Sequence, residues 1–166
     1  MKHEPNPEPE EIDGGVTRHT TVQTAPKLIT STEIVEFSCE CSLLAICEPG
    51  ELENRVYQLK AFAKGNHIVT TFQWHDHSGE GDKHSAEASP LFLQKLQEIV
   101  SGHDFARYNG YCHRVNGLPD MYGACLNIRY HNGESIYAYD NEDCFLAYEA
   151  IRDLITLFTT DHKLKM

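Results

Sequence analysis

The stretch Ala124-Cys125-Leu126-Asn127-Ile128-Arg129-Tyr130-His131-Asn132-Gly133-Glu134-Ser135-Ile136-Tyr137-Ala138 reads as two β-strands joined by a tight turn. Asn132-Gly133 carries the turn signal, because both residue types tolerate the positive φ that short hairpins require. The length of the turn decides which side chains share a face. A two-residue loop at Asn132-Gly133 sets Ile128 opposite Tyr137 and leaves Ile136 beside Arg129. A three-residue loop over His131-Asn132-Gly133, with the glycine in the left-handed region as a bulge, sets Ile128 opposite Ile136 and Leu126 opposite Ala138. The second register is expected. It gathers Leu126, Ile128, Tyr130, Ile136 and Ala138 on one buried face and leaves Asn127, Arg129, Ser135, Tyr137 and Tyr139 on the other.

Outward from the hairpin, period-two patterns recur. Val35, Phe37, Cys39, Cys41 and Leu43 alternate with Glu36, Ser38, Glu40 and Ser42, which predicts a long half-buried strand broken by Glu48-Pro49-Gly50. A second strand, 55–63, buries Tyr57, Leu59 and Ala61. Lys64-Gly65-Asn66 turns the chain into a third, 68–75, with Ile68, Thr70, Phe72 and Trp74 on one side. Residues 77–88 are polar, contain two glycines and read as a mobile loop. Ser89 as cap and Pro90 at the first helical position open a helix whose stripe is Leu93, Leu96 and Val100, flanked by Phe92 and Ile99, with Gly102 as terminator. A short strand is expected near His113 to Val115. Asp140-Asn141-Glu142-Asp143 is expected to cap a last helix with Tyr148, Ile151, Leu154, Ile155 and Phe158 on its apolar face. The order β-β-β-α-(β)-β-β-α predicts an α+β fold. One antiparallel sheet of five or six strands carries both helices on one face, which satisfies every stripe at once. No βαβ alternation, glycine-rich strand-to-helix loop or repeat supports a nucleotide-binding α/β fold.

A chain of 166 residues holds one well-buried core. Residues 1–27, with Pro5, Pro7, Pro9 and Pro26 among Glu, Thr and Gly, read as a disordered acidic tail, 28–160 as one α+β domain, and 161–166 as a C-terminal tail. Mean hydropathy is −0.46. No apolar run approaches the roughly 18 residues of a membrane span, and the polar start does not serve as a secretory signal, so a cytoplasmic location is expected. The net charge of −11 makes direct nucleic-acid binding unfavourable. It leaves open an acidic inhibitor that mimics nucleic acid. Cys39, Cys41, Cys47, Cys112, Cys125 and Cys144 are expected to be mostly buried thiols, since disulfides do not persist in a reducing cytosol.

Asn109-Gly110-Tyr111, Val115-Asn116-Gly117-Leu118-Pro119-Asp120, Tyr130-His131-Asn132-Gly133-Glu134-Ser135-Ile136 and Asp140-Asn141 together resemble a family of small uncharacterised bacterial proteins, over about residues 90–160. The resemblance implies a bacterial cytoplasmic domain without an assigned activity, and it carries no catalytic residue.

Candidate chemistry is sparse. His75 and His77, two apart on a strand, share a face and offer two imidazoles to one zinc ion, with His84 or Asp82 returning from the following loop. That trio is the basis of a metal-dependent hydrolase reading, against which stand the cost of closing a glycine-rich loop and ordinary solvation of loop histidines. Cys39 and Cys41 also share a face, but no Cys-x-x-Cys pair completes a thiolate site. Cys144 stands near an expected helix N-terminus, which lowers a thiol pKa, while Glu142 and Asp143 oppose that effect. Cys112 and His113 point to opposite faces and make a poor nucleophile and base. The 140–143 carboxylates lack the spacing of a calcium loop. Arg129, Tyr137 and Tyr139 form a patch suited to a protein partner, since tyrosine and arginine are enriched at binding hot spots. The leading expectation is therefore a non-enzymatic domain that acts by protein binding, with the hydrolase and the nucleic-acid mimic as alternatives.

Overall fold

The computed structural model describes residues 17–44, 52–119 and 122–161. The breaker at Glu48-Pro49-Gly50, Cys47, Asp120, residues 1–16 of the tail and residues 162–166 lie outside the described residues. The fold is α+β, with β1 (Thr17–His19), β2 (Ile34–Ser42), β3 (Val56–Lys64), β4 (His67–His75), β5 (Gly81–Ala88), α1 (Phe92–Gly102), β6 (Cys112–Val115), β7 (Ala124–Tyr130), β8 (Ser135–Asp140) and α2 (Tyr148–Asp161). The strands form one eight-stranded sheet in the order β1-β6-β8-β7-β2-β3-β4-β5.

The three-residue register holds. Ile128 faces Ile136 and Leu126 faces Ala138, while Gly133 takes φ +92° and its N–H donates to Tyr130 O at 3.0 Å. β2 pairs with β7 on one side and β3 on the other, so Phe37 and Cys39 align with Ile128 and Leu126 across the middle of the sheet. A bulge between Ile34 and Glu36 shifts the expected alternation, and Ile34 rather than Val35 is buried. Both helices lie on this apolar face. Phe92, Leu96 and Val100 of α1 meet Ile151, Leu154, Ile155 and Phe158 of α2 in one core. The Phe158 ring sits edge-on to Phe92 at 5.0 Å between centroids and against Phe37 at 6.1 Å. Each such fully buried side chain contributes about 1.5–3 kcal/mol of transfer free energy.

Four expectations need correction. The sheet has eight strands rather than five or six, and it is mixed, because β6 runs parallel to β8. Residues 81–88 are strand β5, paired with β4 from Ile68↔Ala88 to His75↔Gly81, instead of a loop. An edge strand with one neighbour tolerates the polar composition that suggested mobility. Pro90 precedes α1, which starts at Phe92, although the Ser89 hydroxyl does accept the Leu91 N–H at 3.2 Å. Residues 17–27, assigned by composition to the tail, are structured: β1 pairs with β6 through Thr17↔Val115 and His19↔His113.

From β1 the chain continues as a strap towards β2. Thr20 N–H donates to Cys112 O and Val22 N–H to Gly110 O, at 3.1 and 2.8 Å. Asn109 fastens it. Its Nδ2 donates to Pro26 O (2.9 Å) and Ser135 O (3.2 Å), its Oδ1 accepts the Tyr137 N–H (2.9 Å), and the Lys27 ammonium donates to its carbonyl. A Cβ at Gly110 would stand 2.5 Å from Val22 O, at a backbone φ of +87°. A Cβ at Gly133 would meet nothing within 4 Å. In urea denaturation, Gly133→Ala is expected to cost about 1–2 kcal/mol, the left-handed strain alone. Gly110→Ala, which adds a backbone clash to the same strain, is expected to cost clearly more. Equal losses would show that the strap yields freely.

Candidate functional site

The face of the sheet opposite the helices carries Asn127, Ser38, Lys60, Thr71 and Ser85 in one row across β7, β2, β3, β4 and β5, and Cys112, Tyr139, Cys125, Glu40, Gln58, Gln73 and Lys83 in the next. Tyr137, Tyr139 and Arg129 all lie on this face, as expected. They differ in freedom. Arg129 is ion-paired to Glu36 at 2.9 Å, and the Arg114 guanidinium stands 4.9 Å from the Tyr139 ring centroid. Tyr137 is 47% exposed. Burial of the rest of its ring is the first cause that raises its phenol pKa, so the hydroxyl remains a donor at neutral pH.

Tyr137 also forms one wall of a cavity of about 510 Å³ between the strap and β8. Val22, Ala25, Pro26 and Ile29 supply the strap side. The main polar groups around it are already engaged: Asn109 by the strap and by β8, Glu134 by the strap residues it holds. The remaining interior is mostly apolar. Residues 1–27 read as a disordered tail and Asn109-Gly110 entered only through the resemblance, so the sequence did not reveal this site. The available signal was Val22, Ala25 and Pro26 in the segment read as tail, with Ile29 just beyond it.

Glu134, at the hairpin tip, closes the strap. Its Oε1 accepts the Asn132 side-chain amide (2.6 Å), the Thr30 hydroxyl (2.8 Å) and the Ser31 N–H (2.8 Å), and both oxygens lie 3.1 Å from the Thr30 N. These donors, Asn132 first, lower its carboxyl pKa from 4.5 to about 2.

The histidine trio is not brought together. His75 faces Gly81 on the sheet face opposite the helices. His84 faces Phe72 on the helix-side face and bonds to Asp82 at 2.9 Å, and His77 is exposed in the β4–β5 turn. Asp82, the other candidate ligand, shares the helix-side face with His84 and thus lies across the sheet from His75. Among the described residues no group of three or more His, Cys, Asp or Glu is placed to hold a metal ion. Cys39 and Cys41 are buried on the core face, and the hydrogen bond to Cys39, followed by burial, raises the Cys41 pKa.

The 140–143 segment does not cap α2, which begins at Tyr148. Asp140 organises its own loop instead. Oδ1 accepts the Glu142 and Asp143 N–H groups at 2.8 and 3.0 Å, and Oδ2 accepts the Tyr111 hydroxyl at 2.8 Å. Burial, and then this bond, push the Tyr111 phenol up to about 12. With both carboxylate oxygens engaged, Asp140 has little to offer a divalent cation. Asn141 pairs through its side chain with both Val115 N–H (2.8 Å) and Val115 O (2.9 Å), extending β6 as a strand would. Cys144 is therefore not at a helix N-terminus. Burial pushes its thiol up to about 12. Sequence reading also missed His19, His113 and Glu142: His113 Nε2 bonds to Glu142 Oε2 at 2.8 Å, and its Nδ1 lies 3.2 Å from His19 Nε2. The contact joins β1 to β6 when one imidazole donates and the other accepts.

Two outcomes follow. Because the folded-state pKa of Glu134 is depressed, its stabilisation is complete above about pH 4.5 and is lost as pH falls through about 2. The difference in urea midpoint between the wild type and Glu134→Gln is expected to be largest near neutrality and to shrink across that window; a difference that grows towards low pH would contradict the assignment. Alkylation by iodoacetamide at about pH 8, followed by peptide mass spectrometry, is expected to label Cys112 and Cys125 while sparing Cys39, Cys41 and Cys144 in the folded protein. Labelling of Cys144 at the rate of Cys112 would contradict its raised thiol pKa.

No family model, curated protein or solved structure matches the chain, so the resemblance of residues 90–160 to small bacterial proteins gains no support and the site is read from its own chemistry.

Proposed function

We propose that this is a protein-binding domain whose partner docks on the open sheet face and inserts an apolar side chain into the cavity beside Tyr137. The observation that carries this reading is the junction itself. A half-exposed tyrosine forms the wall of an apolar cavity of about 510 Å³ on a sheet face that neither helix covers. A partly exposed aromatic beside an apolar pocket is the anatomy of a binding hot spot. The surrounding charge indicates the kind of partner. Arg18, Arg114, Arg129, Lys60, Lys64 and Lys83 share the face with Glu36, Glu40 and Glu87, so a chain of net charge −11 presents a net cationic surface there. An acidic protein surface with a projecting apolar residue complements it. The strong negative charge elsewhere disfavours a nucleic acid as the ligand. Thiols outside any disulfide at Cys39, Cys41 and Cys112 suit a reducing compartment such as the cytoplasm.

The reading is tested with a photo-crosslinking amino acid placed at position 137 and, as control, at Glu98 on α1. Covalent adducts to a partner are expected from position 137 only. With that partner purified, Tyr137→Ala and Val22→Asp are expected to weaken binding roughly 30-fold, about 2 kcal/mol, with the circular dichroism spectrum unchanged. Adducts from position 98 alone, or binding by Tyr137→Ala within twofold of the wild type, would overturn the proposal.

A further inference from the structure

The edge of the sheet farthest from the strap is β5, Gly81–Ala88, eight residues long and paired only with β4. Its alternation is fixed by the turn before it, where Asp76 N–H donates to Glu80 O at 2.8 Å. Antiparallel ladders alternate bonded and non-bonded pairs, so Asp82, His84, Ala86 and Ala88 direct their backbone groups to β4. Gly81, Lys83, Ser85 and Glu87 therefore direct theirs outwards, where a further strand would bond. The side chains of Lys83, Ser85 and Glu87 lie on the open face of the sheet, opposite Gln73, Thr71 and Val69. Lys83 has no ion-pair partner among the described residues, and the carboxylate of Glu87 is shared with His67 at the sheet margin.

We propose that two copies of this chain pair through β5 in antiparallel, two-fold arrangement, with Ser85 opposite Ser85 of the second copy. In that register Lys83 of each copy faces Glu87 of the other, twice by symmetry, and the outward backbone groups of 83, 85 and 87 fall into bonded pairs once the Lys83 N–H exchanges Asp82 Oδ1, which accepts it at 2.9 Å in the single chain, for the second copy. The register two residues shorter sets Lys83 opposite itself, and the one two residues longer sets Glu87 opposite itself, so charge selects the central one. The opposite edge is not built this way. β1 has three residues, and two-fold pairing about its centre sets Arg18 against Arg18. Charges on an edge strand ordinarily discourage pairing. Those of β5 match under a two-fold axis and so specify one partner, a second copy. This proposal is independent of the Tyr137 cavity, which lies at the other side of the sheet.

Sedimentation velocity of the full chain over a concentration series tests it. The wild type is expected to show a monomer–dimer equilibrium. Lys83→Glu is expected to weaken the dimer at least tenfold, and Lys83→Glu combined with Glu87→Lys to restore it to within about threefold of the wild type. Ser85→Pro, which removes an outward N–H without touching the β4 ladder, is expected to be monomeric with an unchanged circular dichroism spectrum. A wild type that stays monomeric at its highest soluble concentration would overturn the proposal, whether β5 then remains bare or takes a strand from another protein. So would a double charge reversal that fails to recover the dimer lost in Lys83→Glu.

Discussion

A slip of one residue in the β7–β8 hairpin, with β7 held by β2, would turn Ile136 and Ala138 out of the core and drive Tyr137 and Tyr139 into it. The fold depends on that register being held. Gly133 holds it locally, by taking the left-handed conformation that a three-residue loop needs, and Asn132 supports the turn by accepting the Glu134 N–H at 3.0 Å. β2 holds it from the other side. Its apolar positions align with those of β7, and through them the core face spreads across β3 and β4 to meet both helices. The open face is the complement of the same register. Its polar rows exist because the apolar ones are committed to α1 and α2.

The strap turns this open face into a site. An isolated three-residue strand such as β1 has little stability of its own. Three polar side chains fix the segment that follows it. Asn109 makes three hydrogen bonds that join strap and β8, Glu134 gathers donors from Thr30 and Ser31 at the hairpin tip, and Thr21 exchanges hydrogen bonds with Cys112. None of the three fills the cavity. They hold apolar residues of the strap at a distance from the sheet, which leaves apolar walls with no apolar filling between them.

Charge is segregated by the same architecture. The outer strand positions carry arginine and lysine in excess, while Glu98, Glu149, Asp153, Asp143 and Glu142 lie on the helices and on the loop leading into α2. A single net charge averages over these two surfaces and hides their difference. Binding at the open face is thus compatible with an acidic chain, and the acidic side of the molecule selects against polyanions approaching from the remaining directions.

Strict strand alternation, the hairpin register and the apolar face of α2 are legible in the amino-acid sequence, whereas on α1 Phe92 takes the buried place expected of Leu93. Periodicity is a local record of which face is buried, and Leu126, Ile128, Ile136, Leu154 and Phe158 lie where it places them. The role of the polar segments follows from contacts with remote parts of the chain. β5 has the composition of a loop and becomes a strand because β4 offers it a complete ladder, and residues 17–27 have the composition of a tail and are ordered by partners about 90 residues away, at Cys112, Gly110 and Asn109. The register of the β4–β5 hairpin, which pairs His84 with Phe72, sets His75 and His84 on opposite faces, whereas His19, His113 and Glu142, remote in sequence, meet. Side-chain hydrogen bonds and ladder pairing between remote segments leave no period in a sequence, so the cavity beside Tyr137 exists only once the sheet has formed.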